Sequence, residues 1–143
     1  MVARAFRRLT WPASTLVIQP TNGRTLVNFD TNFYTTDTEP ITQTVRLLGR
    51  PITIEATPVQ YHWHFDDGAS LTTEEPGAAY PELTITHRYL TTGRYRPSLD
   101  TTYGGRYRVG NGPWQQIPGT HTVAGAAQSL RAIEASPTLV DPD

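Results

Sequence analysis

The chain has 143 residues, enough for one domain with one core, and its hydrophobic content of 37% is thin for a helical protein. A net charge of −1 gives no bulk field for nucleic acid or an anionic membrane, and all 12 basic residues are Arg. Cysteine is absent, which excludes disulfides, thiolate metal sites and a Cys nucleophile.

The first nine residues read as a tail. They hold Arg4, Arg7 and Arg8 with no apolar stretch after them, so they do not form an intact signal peptide. No apolar run reaches the 18 or so residues of a membrane span. Abundant Thr, with 11 Gly and 12 Pro, favours an all-β chain.

In chain order, residues 15–19 and 25–33 read as strands joined by Asn22-Gly23, a strong hairpin signal because both residues tolerate φ > 0. Residues 41–48 and 52–58 follow, turned by Gly49-Arg50. Ile52, Ile54 and Ala56 alternate with Thr53, Glu55 and Thr57, giving one buried and one wet face. Next, Val59, Tyr61, Trp63 and Phe65 alternate with Gln60, His62, His64 and Asp66, and Asp67-Gly68 turns the chain. Residues 74–83 read as loop. Strand signals resume at 84–90, 94–103, 106–109, 114–117 and 128–135, with Gly104-Gly105 marking a bulge or bend. The last eight residues, 136–143, read as a tail. Many short strands at such spacing predict a β-sandwich or barrel.

The segment YHWHFDDGAS, residues 61–70, carries the sharpest ambiguity. On a strand, His62 and His64 share a face roughly 7 Å apart. They could share a metal with Asp66 or His87 as a third ligand, which is the pattern of a metal-dependent hydrolase. The competing reading is a polar outer face behind an inner face of Tyr61, Trp63 and Phe65. A calcium site from Asp66, Asp67 and Glu74 or Glu75 would need six or more oxygens, and no regular Asp/Asn loop supplies them. No nucleophile elbow, P-loop or dinucleotide fingerprint is present. The chain is therefore expected to be no enzyme and to need no cofactor.

Trp63-His64-Phe65-Asp66-Asp67-Gly68 resembles the Trp-Asp-Phe-Gly-Asp-Gly signature of the polycystic kidney disease (PKD) domain. His87-x-Tyr89 followed by Gly93-x-Tyr95 resembles that family's second signature. The likeness covers residues 50 to 103 directly. His64 stands where Asp is usual, and Asp66 where Gly is usual. The resemblance implies an Ig-like β-sandwich over residues 50–135, with residues 10–48 as an extension of extra strands, as in surface proteins of actinobacteria. Trp63, Phe65, Asp67, Gly68, His87, Tyr89, Gly93 and Tyr95 would then be structural. It also implies a secreted or cell-surface module for protein or carbohydrate contacts, whose signal would lie upstream of this sequence.

Two surfaces are candidates for such contacts. Arg94 and Arg96 share one strand face, as do Arg106 and Arg108. With Tyr103, Tyr107 and Trp114 interleaved, and Arg46 and Arg88 nearby, they could form a patch for an acidic glycan or protein; the competing reading is a wet face with Arg paired to carboxylates. Residues 13–21 form a good edge or donor strand, so self-association through edge strands into a polymer or larger complex is the second expectation.

Overall fold

The structure, a computed structural model, describes residues 1–135. The predicted tail 136–143 lies outside these. The described chain is all-β and sandwich-like, with one short helix, α1 (Val2–Arg8). Its strands are β1 (Val17–Gln19), β2 (Arg24–Leu26), β3 (Thr31–Tyr34), β4 (Ile41–Leu47), β5 (Arg50–His64) and β6 (Ser70–Thr73). They continue as β7 (Thr86–His87), β8 (Gly93–Tyr95), β9 (Ser98–Val109), β10 (Gln115–Val123) and β11 (Leu130–Ile133). The large sheet runs β10-β9-β5-β4, with β6 also on β5; the two smaller sheets run β1-β3-β7 and β2-β11-β8.

β5 and β9 are the spine. They pair antiparallel from Ile52↔Val109 to His64↔Ser98 and serve two cores. The upper core gathers Leu16, Phe33, Tyr61, Trp63, Phe65, Tyr89, Leu99 and Leu130. The lower core gathers Phe6, Trp11, Ile52, Ile54, Ala56, Tyr103 and Ile117. Even-numbered residues of β5 are buried in its first half and odd-numbered ones in its second. The register explains this switch. Pro58 pairs with Tyr103 and Gln60 with Thr102, so Val59 is an extra, unpaired residue. Such a bulge shifts the period-two alternation by one, so one face of the sheet stays buried along its length. Val59 is accordingly 43% exposed and does not belong to the inner row of Tyr61, Trp63 and Phe65.

Residues 1–9 are not a tail. Val2, Ala3, Ala5 and Leu9 pack around the lower core, and Phe6 is fully buried. Apolar residues at helical spacing turn inward while Arg7 and Arg8 occupy the last turn, where positive charge suits the helix dipole. Trp11 Nε1 donates to the Phe6 carbonyl at 2.9 Å, satisfying one helix-end acceptor. The Phe6 ring lies over Gly105, where a Cβ would come within 3.0 Å of it. Gly105 is thus glycine to admit a ring, while the register irregularities sit on its partners β5 and β10.

Residues 10–48 do not form a separate extension. β1 and β3 pair with each other and with β7, β4 joins the large sheet, and β2 pairs in parallel with β11. The hairpin expected across Asn22-Gly23 is absent: β1 and β2 enter different sheets, and residues 25–33 break at Asn28, whose φ is 60°. The predicted donor segment 13–21 lies at a sheet edge, yet it buries Ser14, Leu16 and Ile18 in its own fold.

Candidate functional site

The turn after β5 is held by its own carboxylates. Asp66 takes a left-handed backbone at φ 69°, and its Oδ2 accepts the Arg96 amide at 2.7 Å. Asp67 Oδ1 accepts the Ala69 amide at 3.1 Å. Its Oδ2 accepts from His87 Nε2 at 2.6 Å. The His87 ring stacks on Phe65 at 4.1 Å and meets Tyr89 edge-on at 4.8 Å. The Tyr89 hydroxyl donates to the Phe65 carbonyl at 2.8 Å, and its ring lies 4.4 Å from Tyr95. Burial, then the charges of Asp67 and Asp66, push the Tyr89 hydroxyl far above its ordinary pKa. Gly68 has φ 90°, which only glycine adopts readily. Gly93 pairs with Ala132, bringing the second motif onto β11.

The histidines are committed elsewhere. His62 bridges Thr72 Oγ1 on β6 and Thr102 Oγ1 on β9, each at 3.0 Å, and Thr102 continues to Thr122 on β10 at 2.8 Å. His64 Nε2 meets Asp100 Oδ2 at 2.9 Å. Asp66 is occupied by the Arg96 amide. The alternative that His62, His64 and Asp66 gather around a metal is therefore not assembled. Among the described residues no three His, Asp or Glu are grouped to hold a metal ion, Glu74 and Glu75 included.

The arginine patch divides in two. On the large sheet, the Arg106 and Arg108 guanidinium groups lie over the Trp114 ring at 4.2 and 4.7 Å. Arg106 also grips Glu55 with two bonds, at 2.7 and 3.3 Å. Tyr107 does not join them. It packs on the lower core and its hydroxyl meets Gln115. Tyr103 is buried beneath the same sheet, its hydroxyl donating to the Pro12 carbonyl.

Arg94 and Arg96 lie instead by the β2-β11-β8 sheet, in a depression they share with Arg24 and Arg131. Sequence reasoning missed those two, because parallel pairing of β2 with β11 joins opposite ends of the chain. Arg88 is paired with Asp30 at 2.7 Å, which holds the Asp30 carboxyl below its ordinary range, and Arg46 donates to the carbonyl of Gly49 in its own hairpin.

A cleft of about 730 Å³ adjoins that depression. Phe29, Tyr80 and Leu83 line it with 49%, 72% and 42% of their surface exposed. Asn32 at its wall donates to Gln19 and to the Ala78 carbonyl, while its own buried Oδ1 has no partner. The only sequence signal for this cleft was the long Pro- and Gly-bearing loop 74–83, which supplies Tyr80 and Leu83. No match to this chain is found among family models, curated proteins or solved structures. Among the described residues no helix is long and apolar enough to cross a membrane.

Proposed function

We propose that this chain is a non-catalytic β-sandwich module, secreted or displayed on the cell surface, that contacts protein or acidic glycan partners. One observation carries the reading. Each histidine and aspartate of residues 61–70 is bonded to the protein's own turn or neighbouring strands, so the residues that looked like chemistry work as scaffold. Exposed arginines and aromatic rings are left as the surface on which contacts would be made.

The likeness to PKD domains is part of the same proposal. Its two signatures are tied together by Asp67–His87 and Tyr89–Phe65. Asp66, standing where that family has glycine, adopts the backbone conformation a glycine would supply. The surface location rests on this likeness.

Incubation of the purified protein with acidic polysaccharides, read by co-sedimentation and by polymer chain length, tests the reading. Binding with unchanged chain length is expected. Shortening that disappears in His62→Ala or His64→Ala would mean an enzyme. Protease treatment of intact cells tests the location, with loss of the protein expected and full protection contradicting it.

Assembly through sheet edges is the second reading, and the large sheet favours it. β4 and β10 leave its two long edges unpaired within the described chain. Light scattering across a concentration series showing only monomer would remove it.

A further inference from the structure

The strand register sets Arg131 directly opposite Arg24 on β2 and Arg94 on β8. All three are exposed, while Thr25 and Ala132 beside them are buried. Three arginines therefore leave one sheet face side by side, on strands about 4.8 Å apart. Like charges directly opposite one another destabilise a sheet. Among the described residues neither these three nor Arg96 has a carboxylate within pairing distance; the pairs that form are those of His64, His87, Arg88 and Arg106. Glu134 lines a groove with Arg94 and Arg131 and, among the described residues, still forms no ion pair. The row thus concentrates positive charge that the fold does not need.

The row continues into the cleft. Asn22 lines both the arginine depression and the cleft of Phe29 and Tyr80. Charge, carboxamides and exposed rings adjoin in that order. A pyranose ring matches this sequence of surfaces: its C–H face is apolar, its hydroxyls pair with amides, and a carboxylate or sulfate on it suits a guanidinium fork. An acidic peptide would use the arginines and leave the rings idle. An oligonucleotide shares the negative charge, and the titration below separates it from the sugar.

We infer that Arg24, Arg131 and Arg94, together with the adjoining cleft of Phe29 and Tyr80, bind an acidic oligosaccharide. This rests on the reading of the chain as a contact module, and it supplies that module's ligand class and site. The arginines hold the carboxylates or sulfates, and the rings carry the sugar faces.

Calorimetric titration tests it with tetragalacturonate as the carboxylate source and a heparin tetrasaccharide as the sulfate source. Maltotetraose, a short polyglutamate and a short oligothymidylate serve as comparisons. At least one acidic tetrasaccharide binds and maltotetraose does not. Arg131→Ala and Tyr80→Ala each weaken the acidic sugar by about tenfold or more. Both side chains are exposed and Arg131→Ala also relieves the like-charge repulsion, so neither variant melts below the wild type, while Trp114→Ala binds as wild type does.

Equal binding of maltotetraose would overturn the inference. So would polyglutamate or oligothymidylate binding as tightly and ignoring Tyr80→Ala, or no binding of either acidic sugar. If the acidic sugar binds but only Trp114→Ala abolishes it, the site is wrong and the module reading survives. Cleavage of the probe would overturn the module reading itself.

Discussion

Asp67 and His87, 20 residues apart in sequence, meet at 2.6 Å and tie the turn after β5 to β7. A carboxylate can only accept, so His87 Nε2 carries the donated proton. The Asp67 and His87 side chains keep 20% and 17% of their surface exposed, so solvent screens the pair in part. Asp67→Asn and His87→Ala should each cost about 1–3 kcal/mol, and the double variant less than their sum. Urea unfolding of the four proteins checks this; strict additivity would mean the pair is incidental.

Residues 62 to 64 should respond alternately. Trp63 is 1% exposed and donates to Thr73, so Trp63→Ala should cost about 3–5 kcal/mol. His64→Ala should cost less than about 1 kcal/mol, and His62→Ala about 1 kcal/mol because it bridges two strands. Thermal melts with and without a chelator measure this. Chelator-sensitive melting with two severe histidine variants would indicate a metal centre.

The amino-terminal helix should matter as much as the sandwich. Phe6→Ala removes a fully buried ring and should cost about 3–5 kcal/mol. Gly105→Ala presses a methyl against that ring and should cost about 1–3 kcal/mol. In the Phe6→Leu background the Gly105→Ala penalty should shrink. An unchanged penalty there would show that the ring is not what Gly105 accommodates.

High pH should weaken the fold. Burial, as the first cause, raises the hydroxyl pKa of Tyr61, Tyr89 and Tyr103 above the ordinary 10.0, so the unfolded chain loses those protons first. Their contribution is complete below pH 10 and is lost as pH rises from there towards the folded values. Tyr89→Phe should be less stable near neutrality, having lost its bond to Phe65, but should show a flatter decline above pH 10. Denaturant midpoints across that range report it; parallel declines in the two proteins would argue against Tyr89.

What could be read from the sequence was what local chemistry decides. The β4–β5 and β9–β10 hairpins were legible because Gly49 and the 110–113 segment turn the chain within a few residues. The β1–β2 hairpin failed because Gly23, at φ 75°, serves a bend between strands whose partners lie far along the chain. Helix α1 was hidden because seven residues are too few for their periodicity to stand out, and packing of Val2, Ala3, Ala5, Phe6 and Leu9 on the lower core fixes them. The bulge at Val59 was masked by its being apolar and in phase with Tyr61. Of the candidate site, Arg94 and Arg96 were visible as near neighbours, but the single strand expected over 94–103 is broken: β8 ends at Tyr95, β9 begins at Ser98, and Arg96 lies between them. Arg24, Arg131 and the cleft needed the parallel pairing and the loop's path, which no local pattern encodes.

The most direct test of the central claim is an amide NMR titration of the full chain with tetragalacturonate. Shifts should cluster at Asn22 to Arg24, Tyr80, Arg94 to Arg96 and Ser129 to Arg131, and should shrink in Arg131→Ala. Shifts centred on His62, His64 and Asp66 would contradict it, returning the chemistry to the histidine strand.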